Sequence, residues 1–129
     1  MNYSALIQNR KSVRAFTDKK VSAAALAEIE DYYRKSCQRL VPGLETKLCV
    51  FGEEAKAALE GAAGYENFLI GAPNYLVLLS AKGDWDGENA GYMMEDLVLK
   101  LTDMNLGSCW LTFTDSERVK NALKIDSPL

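Results

Sequence analysis

The sequence contains no histidine among its 129 residues. That absence excludes Ser-His-Asp and Cys-His catalysis and every zinc ligand set that includes histidine, because all of these depend on an imidazole. If the chain is an enzyme, we therefore expect a bound cofactor to carry the chemistry. We predict no metal site.

Cysteine is scarce, odd in number and widely spaced. Cys37, Cys49 and Cys109 form neither a disulfide framework nor a CxxC metal pair. Cys49 and Cys109 stand in apolar runs, which predicts that both are small buried hydrophobic residues.

The chain also lacks an excess of positive charge and a long apolar run. It has 15 Lys and Arg against 18 Asp and Glu, a net charge of −3. This balance excludes a broad nucleic-acid surface but leaves room for a local basic pocket. No apolar run is long enough to span a membrane, and residues 1–4 lack the start of a signal peptide. We therefore expect a cytoplasmic protein without nucleic-acid or membrane partners.

What the chain has is enough apolar content, 48%, for one hydrophobic core, so we predict a single domain over residues 1–129. Apolar periodicity and turn signals divide it into helices interleaved with about three strands, and no Gly-rich phosphate loop follows a strand. The predicted elements are helices Tyr3–Asn9, Ser22–Leu40, Glu53–Ala63, Glu88–Leu106 and Ser116–Leu123, and strands Thr46–Phe51, Tyr75–Ala81 and Ser108–Phe113.

The segment Arg10-Lys11-Ser12-Val13-Arg14 holds three cations and a hydroxyl within five residues. Guanidinium groups present forked donors that match phosphate oxygens, so the segment could hold one anion. A short basic run is also typical of a solvated face, and Arg14 could simply pair with Asp18 or Glu28.

Three blocks of sequence, taken in order, resemble the nitroreductase family of flavoproteins, in the branch labelled TM-type nitroreductases. The first is RKSVRAF at residues 10–16. The second combines GAPNYLVL at 71–78 with ENAGYMMEDLVL at 88–99, and the third is NLGSCWL at 105–111. The resemblance implies an α+β fold with a mostly antiparallel sheet, flanking helices and a long central helix, Glu88–Leu106.

The resemblance also implies flavin mononucleotide (FMN) as cofactor, with no catalytic side chain. By that resemblance Arg10 and Ser12 would contact the phosphate or ribityl end, and Lys11 would lie along the cofactor. Arg14 would approach the pyrimidine edge of the ring, where a cation favours the reduced state.

The strand Ser108–Phe113 matches the family segment whose backbone hydrogen-bonds the N5 edge of the flavin. That edge would fall near Trp110, Leu111 and Thr112. The sequence lacks the glycine that often occurs near this point in the family. Packing of Trp110 and Leu111 in the core is the competing interpretation.

The activity implied by the resemblance is transfer of electrons from NAD(P)H through FMN to an electron-poor acceptor such as a nitroaromatic or a quinone, in a homodimer. Family members usually extend beyond this length, so we expect either a chain truncated after Leu129 or a compact relative. Residues 65–67 and Asn74 could line a substrate mouth, although the nearby glycines favour a turn or cap role.

Two other functions compete with this hypothesis. In one, the fold persists as a non-catalytic homodimeric module, structural or ligand-binding, with a degraded flavin site. In the other, the basic segment binds a small anion or nucleotide without redox chemistry.

Overall fold

The computed structural model of the protein describes residues 1–64 and 68–129. Within these residues, five helices and two strands follow one another in the order that the sequence predicts. They are α1 (Tyr3–Asn9), α2 (Ala23–Lys35), β1 (Thr46–Gly52), α3 (Ala55–Leu59), β2 (Asn74–Ser80), α4 (Asp86–Asp103) and α5 (Ser116–Ala122). The α+β prediction is confirmed.

The two strands pair antiparallel, and their alternation directs side chains to both sides of the sheet. Leu48 lies opposite Leu78 and Val50 opposite Leu76. These leucines and Val50 pack on one hydrophobic cluster, whereas Tyr75, on the alternate side of β2, belongs to the other. The sheet therefore separates two cores.

The first core lies between the sheet and helices α2 and α4, and the second gathers α3, α5 and the loop before β2. The buried members of the first are Ile29, Cys37, Leu48, Met93, Leu97 and Leu101, and those of the second are Ala55, Leu59, Leu69, Tyr75 and Val119. No member of either cluster comes from the first twenty residues of the described chain.

Helix α4 is the long central helix that was predicted. Met93 and Leu97 are fully buried, and the helix contacts α1, α2 and β2. It ends at Asp103 rather than Leu106. The position of Gly107, directly after the predicted helix, predicts a glycine C-cap. The left-handed turn is made instead by Asn105, with φ of 61°. Asparagine accepts this conformation more readily than most residues.

Helix α2 begins as predicted and ends five residues early. The Ser22 side chain accepts a hydrogen bond from the Ala25 amide at 3.1 Å, which confirms it as the N-cap. Beyond Lys35, side chains of α4 bind the backbone. Asp96 accepts from the Gln38 amide, and Asn89 accepts from the amides of residues 40 and 41. These tertiary acceptors replace the carbonyls that a longer helix would use.

The predicted strand Ser108–Phe113 is wrong. Its one ladder contact among the described residues is an isolated parallel bridge between Ser108 and Ser12. An extended segment becomes a strand only where a neighbour takes up its backbone hydrogen bonds. Cys109 in this segment and Cys49 in β1 are half-buried, which corrects the prediction that both lie fully buried.

Candidate functional site

The basic segment begins where α1 ends. Arg10 is the C-cap of α1, and its amide donates to the Leu6 carbonyl at 2.8 Å. The backbone at Arg10 then turns extended, with φ of −64° and ψ of 134°. Helix α1 therefore fixes the start of the segment.

The middle of the segment is held by a residue near the other end of the chain. Ser12 forms the isolated bridge with Ser108, and the Val13 amide donates to the Ser108 carbonyl at 2.8 Å. A Cβ placed on Gly107 would lie 2.9 Å from Cγ2 of Val13, closer than such atoms approach. Glycine at 107 therefore allows the backbone after α4 to lie directly against the segment.

This close approach forms a cavity of about 230 Å³. Arg10 and Lys11 line one side of it, and Thr102, Asn105 and Ser108 line the other. Two cations thus face a shallow cavity with hydroxyl and amide groups, which are suitable donors for an anion. Asn105 and Thr102 were not identified from the sequence. The left-handed turn that a helix-ending Asn favours is the signal that could have found Asn105.

The two arginines of the segment differ in their surroundings. Nε of Arg10 lies 3.6 Å from Oε1 of Glu95, and both side chains are partly exposed. Arg14 is exposed and makes no ion pair within residues 1–64 and 68–129. The alternative partner Glu28 instead meets Lys100, at 3.2 Å. The i,i+4 spacing of Asp96 and Lys100 predicts an ion pair, but among the described residues Lys100 pairs with Glu28 and Asp103 instead.

Trp110, Leu111 and Thr112 lie farther along the segment that starts at Ser108. Trp110 is 47% exposed, and Leu111 is half-buried against the second core. The carbonyl of Thr112 accepts from the Gly64 amide at 2.8 Å, and its hydroxyl donates to the Gly64 carbonyl at 2.7 Å. Between described residues, the amides of 110–112 donate no hydrogen bond. These amides are suited to bind an acceptor atom of a ligand.

The structure thus brings some predicted residues together and leaves others apart. Arg10 and Lys11 line the cavity together with Ser108, and Ser12 is bridged to Ser108 without lining it. Arg14 and residues 110–112 do not line the cavity either. Asn74 donates from Nδ2 to the Phe51 carbonyl at 3.2 Å across the sheet end, which is a capping contact. Residues 65–67 lie outside the described part of the chain.

A buried carboxylate, Asp96, anchors α1, a role that the sequence does not predict. Asp96 is 5% exposed and accepts from the hydroxyls of Tyr3 at 2.8 Å and Tyr32 at 3.0 Å, besides the Gln38 amide at 2.8 Å. Burial, followed by hydrogen bonds to Tyr3 and Asp96, raises the pKa of Tyr32 above its usual range. The cluster joins α1, α2 and α4.

The described residues contain neither a candidate metal centre nor a membrane-spanning helix. No group of three or more Cys, Asp or Glu side chains there could hold a metal ion. No helix among those residues is long and apolar enough to cross a membrane.

The family is shown by a sequence model described as “Putative TM nitroreductase”, which matches residues 2–127. The chain belongs to this family. No curated protein matches it.

Solved structures show the same fold at low sequence identity. A nitroreductase family protein of Clostridium novyi NT is 21% identical, with a TM-score of 0.79, over 97% of this chain and 77% of that one. A “putative nitroreductase in complex with FMN” from Desulfovibrio desulfuricans is 20% identical, also with a TM-score of 0.79, over 98% and 78%. A nitroreductase family protein of Clostridium difficile 630 is 19% identical, with a TM-score of 0.75, over 98% and 77%.

Proposed function

We propose that this protein is an FMN-dependent oxidoreductase that passes electrons from NAD(P)H to an electron-poor small molecule such as a nitroaromatic or a quinone. Membership of a nitroreductase family supports an oxidoreductase, and a structure with the same fold contains FMN. One observation in this chain carries the proposal. The Ser12–Ser108 bridge joins the two distant segments to which the resemblance assigns the cofactor.

The residues at the cavity suit the phosphate end of FMN. Arg10 and Lys11 supply two positive charges, Ser108 supplies a hydroxyl donor, and Ser12 adjoins the cavity through its bridge with Ser108. Charge-assisted hydrogen bonds of this kind contribute about 1.5–3 kcal/mol each. We assign the phosphate or ribityl end to Arg10 and Ser12, and Lys11 to the length of the cofactor.

The remaining residues suit the ring. Arg14, exposed and without an ion pair in the described residues, is assigned to the pyrimidine edge, where a fixed cation favours the reduced state. The amides near Trp110, Leu111 and Thr112 are assigned to the N5 edge. Bound FMN would supply the hydride acceptance and electron delivery that protein side chains do not provide.

The proposal extends to the assembly. We propose a single domain over residues 1–129 that works as a homodimer, with a small-molecule acceptor and with FMN at the interface. NAD(P)H as donor and a cytoplasmic location stay predictions from the sequence.

The test is a visible absorption spectrum of the purified protein during titration with FMN, followed by addition of NADH or NADPH without oxygen. We expect saturable flavin binding and bleaching of the bands by a nicotinamide. A protein that stays colourless, and whose titration does not change with Arg14→Ala, would contradict the proposal and favour the non-catalytic module.

Substitution of Arg10 tests whether this residue contacts the phosphate of FMN. Arg10→Ala should weaken FMN binding about tenfold or more, because a lost charge-assisted contact costs about 1.5–3 kcal/mol. The same variant should leave riboflavin binding unchanged, since riboflavin has no phosphate. Lys20→Ala is the matched control, because this exposed cation lies outside the cavity but in the same part of the chain. Equal losses in both variants would contradict the assignment.

A further inference from the structure

Glu95 occupies a particular place beside the candidate phosphate cavity. Its Oε1 lies 3.6 Å from Nε of Arg10, yet Glu95 does not line the cavity that Arg10 lines. The carboxylate therefore contacts the guanidinium from outside the cavity. No other ion pair of Arg10 forms within residues 1–64 and 68–129.

The contact is electrostatic and weak. A separation of 3.6 Å from Nε exceeds hydrogen-bond distance, and the side chains are 30% and 44% exposed. Ion pairs with this exposure contribute little to stability, because water screens them. An incoming phosphate dianion, with forked geometry and greater charge, can therefore displace Glu95 from Arg10 at small cost.

Asp96, the next residue on α4, cannot act as a counter-ion to Arg10. Both oxygens of Asp96 already accept hydrogen bonds, from Tyr3, Tyr32 and the Gln38 amide. The Tyr3 bond also holds the first turn of α1 on α4, which keeps Arg10 at the other end of α1 within reach of Glu95. Glu95 is thus the carboxylate of α4 that is available to Arg10.

We propose that Glu95 is a built-in counter-ion that competes with the ligand's phosphate for Arg10. This inference rests on the proposed function, in which Arg10 contacts the phosphate of FMN. An inorganic anion and a phosphate ester meet the same competition, because each must displace Glu95 from Arg10. Glu95 therefore lowers the affinity for both by the same factor. A simple anion that gains little beyond Arg10 and Lys11 is then not retained, whereas a phosphate ester that also contacts the protein through its other groups stays bound.

The test is Glu95→Gln, which keeps size and polarity but removes the charge. We expect the affinities for FMN and for inorganic phosphate each to rise about two- to fivefold, because the competing pair is worth at most about 1 kcal/mol. Riboflavin affinity should stay unchanged. Glu88→Gln on the same helix is the control for net charge, since Glu88 is exposed and lies outside the cavity.

A double variant isolates the pair. In an Arg10→Ala background, Glu95→Gln should have no effect on phosphate or FMN affinity, because the competition no longer exists. Binding of inorganic phosphate is followed by NMR of the arginine Nε–H groups, so the test does not depend on flavin. If FMN fails to bind but phosphate binds more tightly to Glu95→Gln, the proposed function fails and this inference stands. Unchanged or weakened phosphate binding in Glu95→Gln would overturn the inference.

Discussion

Replacing Asp96 by asparagine removes the charge from the buried carboxylate that joins three helices. The carboxylate accepts from the Tyr3 and Tyr32 hydroxyls and from the Gln38 amide, at 2.8 to 3.0 Å. An asparagine oxygen can serve the Gln38 amide, but its NH2 group then faces the two hydroxyls, which must turn to accept. Charge-assisted bonds become neutral ones at a buried site.

The expected loss is about 2 kcal/mol of unfolding free energy, within the range for a hydrogen bond to a charged group. For a chain of this length that corresponds to a fall in Tm of roughly 6–10 °C. Urea unfolding followed by tryptophan fluorescence measures the free energy, and calorimetry measures Tm.

Asp103→Asn is the matched control, because it makes the same substitution on the same helix at an exposed position. Its effect should stay within about 0.5 kcal/mol. Equal losses for the two variants would refute the reasoning, since the buried donors around Asp96 would then contribute nothing measurable.

Three further predictions concern the cores and the site. Gly107→Ala should destabilise the protein by about 1–3 kcal/mol in unfolding experiments and weaken FMN binding, because the new methyl group collides with Val13. Gly43→Ala is the control: open space surrounds Gly43, so its free energy of unfolding should change by no more than about 0.5 kcal/mol. Asn89→Leu should cost about 2 kcal/mol or more in urea unfolding, since two backbone amides lose their acceptor, and a smaller loss would contradict this account. Burial raises the pKa of the Cys37 thiol to about 11 from an ordinary 9.0. The contribution of the buried thiol to the free energy of unfolding is therefore complete below about pH 9 and is lost as the pH rises through 11. Unfolding free energy should therefore fall less steeply over that interval in Cys37→Ala, and parallel curves would contradict the assignment.

The strands and the long helix were predictable because their signals are local. Residues of β1 and β2 alternate across a sheet, and the apolar spacing in α4 matches a buried helix. Helix ends were less predictable where distant side chains decide them. The apolar spacing continues from Ile29 to Cys37 and Leu40, but Asp96 and Asn89 bind the backbone that would have formed the last turns.

The candidate site likewise combines features that have a local signal in the sequence with features that depend on distant residues. The basic segment is visible in the sequence because its residue types are unusual together. Its neighbour Asn105 and the competing Glu95 depend on how α1 crosses α4, and that crossing leaves no local pattern. The predicted strand after Gly107 has the composition of a strand, but strand formation depends on a partner that composition does not reveal.

The absence of the first twenty residues from both cores has a consequence for how the protein opens. That segment is attached through the buried Leu6, through Tyr3 and Arg10, and through the backbone bond from Val13 to Ser108. It belongs to neither cluster, so it can detach while the two clusters remain packed. We expect the Val13 amide to exchange with deuterium through a sub-global opening, at a lower free energy than amides of β1 or α4. A phosphate or flavin bound at the cavity would suppress that opening, so the exchange rate at this one amide would report occupancy of the site.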